Sequence, residues 1–256
     1  MNLPDEVYVP DVIYRGDYDS FADAQACSKG YHESAILEKT RETMHRVLQG
    51  EFAYERDSVG FEKLDLNFPL LALLLRSAAQ SSGRLSVLDF GGALGSTYCQ
   101  CRKFLSGLPH LEWSIVEQPA HVACGRQEFS NRILQFYNTI DDCLAVRQPN
   151  VLLLSGVLQC LPAPWAVLQN LARDNFQTII LDRTPIIEAE RDRLTVETVS
   201  PRVYPASYPA WFFSRKSFES HIPPGWAIDV EFNAIDRQLL DGVEIVFKGF
   251  GIIRQQ

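Results

Sequence analysis

Asp89 stands just ahead of a glycine cluster in VLDFGGALGS (Val87 to Ser96), behind an apolar run and before a helical pattern. Glycines there remove the Cβ atoms that hold a ligand away, and they tolerate the backbone of a tight turn. A helix opening at Ser96 adds free N–H groups and a partial positive charge. Read as the dinucleotide fingerprint G-x-G-x-x-G, the frame starting at Gly91 puts Ala93 and Ser96 where glycines are required. Read as acidic-x-Gly-x-Gly-x-Gly, the frame Asp89, Gly91, Ala93, Gly95 departs only at Ala93, the smallest possible departure. An acid beside this turn suits a ligand that carries positive charge and repels a pyrophosphate.

A second acid lies at a matching place. Glu117 closes the run WSIVE, and a carboxylate at a strand tip can accept both hydroxyls of a ribose. Alone, it reads equally well as a solvated strand end. Beside the Asp89 turn it points to a nucleoside, without choosing between a sulfonium nucleoside and NAD.

The elements that must position these acids alternate along the chain. β-rich runs at 86–90, 113–117, 134–137, 151–155 and 178–181 are separated by helical patterns at 96–107, 119–130 and 164–173. Such alternation predicts a parallel sheet covered by helices on both faces. Ser96 or Thr97 is the expected cap of the first of these helices, with Gly107 and Pro109 closing it. Residues 226–234 and 243–254 read as two successive strands, with Asp241-Gly242 as the turn signal, so they should pair antiparallel. Upstream, apolar spacing predicts helices near 36–48, ended by Gly50, and at 68–79. The division expected is a helical N-terminal cap over 1–82 and an α/β, Rossmann-like domain over 83–256. A connection at about 183–214 would cover the substrate.

Composition narrows the partners. A net charge of −8 over 256 residues argues against a polyanionic partner such as nucleic acid. The six cysteines include Cys99 and Cys101, but no second Cys or His pair stands at a zinc spacing, so no metal is expected. The opening residues lack the basic and apolar regions of a signal peptide. The expectation is a cytoplasmic chain with reduced thiols that pack as small apolar groups. The run at 68–79 is too short to span a bilayer.

The stretches VLDFGGALGSTY, WSIVEQP, VLLLSGVLQCLPAPW, LDRTP and YPASYPAWFFS together resemble a methyltransferase family often encoded among genes for surface-polysaccharide biosynthesis. GYHESAILEKT, GEFAYERDS and PLLALLL extend the resemblance over most of the chain. It implies the class I methyltransferase fold and S-adenosylmethionine as cofactor, with a small-molecule or glycan acceptor. By that resemblance Asp89, Gly91, Gly92, Ala93 and Gly95 would surround the amino-acid end of the cofactor. Glu117 and Gln118 would hold the ribose, Tyr137 and Asn138 would lie near the adenine, and Ser155, Gly156 and Val157 would form the floor.

Methylation of a hydroxyl needs a base near its proton. Asp182, which ends IILDRTP, is one candidate, although with Arg183 it reads as well as an ion pair anchoring the next segment. His32 in KGYHES and His221 after KSFES are the others. Tyr204, Tyr208, Trp211 and Phe212 could stack on a sugar or aromatic acceptor, or simply pack the segment onto the sheet. Two other functions stay open at this level: an NAD-linked oxidoreductase, and a catalytically silent methyltransferase-like binding protein.

Overall fold

The computed structural model describes residues 12–28, 33–200 and 206–255. Strand β1 (Val12–Arg15) is followed by helices α1 (Phe21–Ala26) and α2 (Glu33–Gln49). A hairpin of β2 (Tyr54–Arg56) and β3 (Val59–Phe61) turns through Asp57 and Ser58, both at positive φ. Helix α3 (Phe68–Gln80) starts at Asn67, whose side chain accepts the Leu70 N–H. The two longer helices lie where the apolar spacing put them. The segment expected to be helical, however, also carries β1 and a hairpin.

From Arg84 the chain alternates as anticipated. The order is β4 (Arg84–Phe90), α4 (Ser96–Leu105), β5 (His110–Val116), α5 (Pro119–Glu128), β6 (Leu134–Tyr137) and a short α6 (Ile140–Leu144). Then come β7 (Val151–Ser155), α7 (Pro164–Leu171) and β8 (Thr178–Thr184). The connection that follows is itself structured, as β9 (Ile186–Ile187), β10 (Arg193–Val199) and β11 (Ala206–Ser214). Helix α8 (Arg215–Ser220) leads into a long hairpin, β12 (Trp226–Leu240) and β13 (Val243–Arg254), turning at Asp241-Gly242.

The central sheet has the order β12-β13-β8-β7-β4-β5-β6. Strands β4 to β8 pair in parallel, and β13 joins β8 antiparallel. Parallel strands covered on both faces read as continuous apolar runs, and Val151 to Leu154 are all buried. Val87 and Leu153 pack on one face with Leu74, Tyr98 and Val122 from α3, α4 and α5. Leu88, Leu152 and Leu154 pack on the other with Leu168 and Phe218 from α7 and α8. A parallel sheet in this order, closed by an antiparallel C-terminal hairpin, is the Rossmann-like fold of class I methyltransferases.

Two irregularities interrupt the hairpin side. Thr184 pairs with Lys248 and Leu181 with Phe250, so Asp182 and Arg183 stand opposite the single residue Gly249. Arg183 takes φ 56° there. In β12, Ala234, Ile235 and Asp236 stand opposite Phe247 alone. Bulges of this kind re-aim side chains, and here they bring Arg183 onto Asp236. A second sheet, β1-β10-β11-β9, lies beside the hairpin, sharing with it a core of Tyr14, Phe212, Ala234, Leu240 and Phe247.

Candidate active site

In open α/β sheets the ligand crevice lies outside the carboxyl ends of the strands, where the strand order reverses. Here β4 has β5 on one side and β7 on the other, so the turns after β4 and β7 part at that point. A cavity of about 430 Å³ opens there, within the size range of small-molecule sites. Its lining includes Asp89, Gly91, Gly92, Ala93, Glu117, Gln118, Ser155, Gly156, Val157 and Asp182. With Tyr208, eleven of the candidate site residues read from the sequence meet in this cavity.

The glycine turn serves the protein's own packing as well as any ligand. A Cβ on Gly92 would lie 2.6 Å from the Asp89 carboxylate. Gly95 sits at φ 93° as the N-cap of α4, with no side-chain cap. Neither Ser96 nor Thr97 caps that helix, contrary to the sequence expectation, because a left-handed glycine already makes the entry turn. Ser96 Oγ donates to the Glu55 carboxylate instead. Ala93 also takes a left-handed backbone, φ 49°, a strain of about 1 kcal/mol.

Three carboxylates are buried around the cavity. Asp89 is 1% exposed and accepts the Trp113 Nε1–H at 2.9 Å. Burial pushes it up to about 7, against that hydrogen bond and with help from the Glu117 charge. Glu55, carried by the β2–β3 hairpin, is 3% exposed and accepts the Ser58 N–H at 2.6 Å. Burial lifts it to about 7 as well, although the bonds from Ser96 and Ser58 oppose the rise. Asp182 accepts from Asn67 Nδ2 and Ser155 Oγ, each at 3.1 Å, and burial raises it above the ordinary carboxylate range. Glu117 is half-buried at the end of β5, where its Oε2 accepts the Gln118 N–H.

Arg183 does not pair with Asp182. It is bound by Asp236 at 2.8 Å and by Asp57 at the tip of the hairpin, so it ties β8 to β12 and to the N-terminal region. The Asp182–Arg183 ion pair expected from the motif is not formed, because the bulge turns Arg183 onto Asp236 and Asp57 while Asp182 bonds Asn67 and Ser155.

Several expected positions lie elsewhere. Tyr137 packs with the apolar layer under α7, its hydroxyl accepting from Arg147 at 3.3 Å, and Asn138 is exposed; neither lines the cavity. His221 ends α8, stacks on Trp165 at 4.8 Å and donates from Nδ1 to the Ser217 carbonyl. It does not line the cavity, so the structure does not bring it to the other candidate residues. Phe212 is fully buried against Tyr14 and Phe247, and Trp211 donates to the Leu161 carbonyl. Both pack the inserted strands rather than face the cavity. Tyr208 does line it. His32 and Tyr204 fall outside the described residues.

Glu55, Asp57, Asn67 and His121 also line the cavity; no motif or spacing marked a role for any of them, although Glu55 and Asp57 lie within the GEFAYERDS stretch of the resemblance. His121 is 3% exposed, and its Nδ1 has no hydrogen-bond partner among the described residues. An orphaned buried ring nitrogen, a turn free of bulky side chains and converging carboxylates together fit a cationic nucleoside.

No protein-family model matches the chain, and no curated protein matches it. Several solved structures are similar to the chain. The N-terminal domain of EvdMO1, crystallised in the presence of SAH and D-fucose, is 14% identical over 88% of this chain and 98% of that chain, with a TM-score of 0.43. LepI in complex with SAM is 11% identical over 88% of this chain and 66% of that chain, TM-score 0.47. SAM-bound CalS10, an amino pentose methyltransferase from Micromonospora echinaspora involved in calicheamicin biosynthesis, is 13% identical over 73% and 91%, TM-score 0.46. At these identities and scores the likenesses carry no argument about function, which rests on the residues of the site.

Proposed function

We propose that the chain is an S-adenosylmethionine-dependent methyltransferase acting on an oxygen of a small molecule or glycan precursor. One observation carries this reading. Glu55, Asp57, Asp89, Glu117 and Asp182 line the cavity against two arginines, and one of these, Arg183, is already held by acids. A site so charged attracts a sulfonium and an ammonium and repels the pyrophosphate of NAD.

In this reading Asp89 and Glu55 hold the amino-acid end of the cofactor and Glu117 the ribose. Gln118 and His121 flank the base, with Ser155 to Val157 beneath. When bound, S-adenosylmethionine supplies a methyl group on a positively charged sulfur. The chain's own contribution is to bind and orient, since in-line displacement depends largely on positioning. Residues 1–82 act as a cap on the 83–256 domain, with the β2–β3 hairpin reaching the cavity. The resemblance to methyltransferases of polysaccharide gene clusters supports a cytoplasmic role on glycan precursors. Among the described residues, no helix is long and apolar enough to cross a membrane.

Titration calorimetry with S-adenosylhomocysteine and, separately, with NAD tests the assignment. Binding of S-adenosylhomocysteine alone is the expected result. Binding of NAD alone overturns it.

A further inference from the structure

A second cavity, of about 360 Å³, adjoins the first. Cys160, Arg183, Tyr208 and Ile235 line both. One wall is the smaller sheet, whose register sets three polar side chains in a row across neighbouring strands. Tyr14 of β1 stands opposite Glu197 of β10, and Glu197 opposite Tyr208 of β11. Directly opposed residues share a face of the sheet and touch. The Tyr208 phenol donates to Glu197 Oε1 at 2.9 Å, and Tyr14 hydrogen-bonds the same carboxylate.

Burial lifts the Glu197 carboxyl to about 7; its ionised form accepts about four hydrogen bonds, so two phenols leave acceptor capacity toward the cavity. Gln159 supplies a second acceptor. It is 8% exposed, lines the same cavity, and its Oε1 has no hydrogen-bond partner among the described residues. A buried amide oxygen without a donor is costly, which points to a ligand that brings one.

The rest of the lining limits what that ligand is. Val12, Val59, Phe61, Val199, Leu239 and Phe247 give apolar walls suited to the face of a ring. Arg183 is paired with Asp57 and Asp236 and Arg237 with Glu244 at 3.4 Å, while Arg56 lies over the Phe61 ring at 5.1 Å with its charge facing Asp57. No built receptor for a phosphate or carboxylate results. The spare acceptor capacity of Glu197 and the unpartnered Gln159 oxygen call for hydroxyl donors.

We propose that this second cavity is the acceptor site, taking a neutral ring with neighbouring hydroxyls that donate to Glu197 and Gln159 beside Tyr208. The proposal rests on the methyltransferase reading and adds to it the place and chemical class of the acceptor. A sugar and a catechol share this chemistry, a hydroxylated edge on a ring with an apolar face. Tyr208 links the two sites, because the same phenol that holds Glu197 also borders the nucleoside cavity.

The test is saturation-transfer NMR on the full chain saturated with S-adenosylhomocysteine, using methyl α-D-glucopyranoside, catechol and, as a single-hydroxyl control, cyclohexanol. One of the two diols should bind and cyclohexanol should not; the diol that binds distinguishes sugar from phenol. Glu197→Gln should weaken the diol by about tenfold or more while S-adenosylhomocysteine affinity stays within about twofold. Gln159→Leu removes an amide oxygen that has no partner among the described residues, so it gives a second variant with the same expected loss. Failure of both diols to bind the loaded protein overturns the proposal. So does binding that is indifferent to both substitutions, or a diol that competes with S-adenosylhomocysteine. If the wild-type chain does not bind S-adenosylhomocysteine at all, the cofactor reading falls and this proposal falls with it.

Discussion

Replacing Asp89 by Asn should make the unliganded protein more stable at pH 8 while removing most of its affinity for S-adenosylhomocysteine. Asp89 is 1% exposed, and burial lifts its carboxyl from 3.8 to about 7. That is about three decades of proton affinity, so holding the ionised form inside costs on the order of 4 kcal/mol. Below about pH 4 the folded and unfolded chains are both protonated there, and no penalty applies. Between about 4 and 7 the folded chain keeps a proton that the unfolded chain has released. Stability from this group therefore falls as pH rises, and the whole loss is in place above about 7. Asparagine never ionises and keeps an oxygen for Trp113 Nε1. Its amide hydrogens need new partners, which trims the gain at pH 8 to roughly 1–3 kcal/mol. The same change removes a charge-assisted bond to the ligand's ammonium, worth about 1.5–3 kcal/mol, or roughly 10–100-fold in affinity. Denaturant unfolding at pH 5 and pH 8 measures the first effect, and titration calorimetry measures the second. The stability gain should shrink by more than half at pH 5. Equal destabilisation at both pH values, or an unchanged dissociation constant, refutes the reasoning.

Cofactor affinity should rise from pH 6 to pH 8, because Asp89 and Glu55, both near 7, must ionise to meet the ammonium. Binding heats measured in two buffers of different ionisation enthalpy should then reveal proton release, and identical heats contradict this. Glu55→Gln should weaken S-adenosylhomocysteine by about tenfold but leave 5′-methylthioadenosine, which lacks the amino-acid end, within about twofold. An equal loss for both ligands would place Glu55 away from that end. Arg183→Ala leaves Asp236, only 12% exposed, without its cation and should cost roughly 2–4 kcal/mol of unfolding free energy. Asp57→Ala, at a carboxylate that is 54% exposed, should cost under about 1 kcal/mol; a reversal of that order would misplace the bridge.

What could be read in the sequence was what repeats locally. Leu134–Tyr137 and Val151–Ser155 fell on their observed bounds because a buried parallel strand is a contiguous apolar run. The Asp241-Gly242 turn announced the terminal hairpin, since both residues must take positive φ. Asp57-Ser58 makes a turn of the same kind without a glycine, so the β2–β3 hairpin gave no signal. With it went Glu55, the second buried acid of the site. The bulge at Asp182–Arg183 depends on pairing with β13, far along the chain, and no local pattern encodes it. Phe212 and Trp211 looked like acceptor contacts because aromatic side chains serve stacking and packing alike. Only the pairing of β11 with β10 shows which of that run faces a cavity and which faces the core.

The pairing of β1 with β10 has a consequence for synthesis. Asp17 and Arg191, bridged across this region, lie 174 positions apart. At roughly 5–20 residues added per second, the first strand waits on the order of ten seconds or more for the neighbour that gives it an address. Strands β4 to β8 follow one another closely and need no such delay. On the ribosome, the nucleoside half of the molecule takes shape while the wall bearing Tyr14 and Glu197 is still in two pieces.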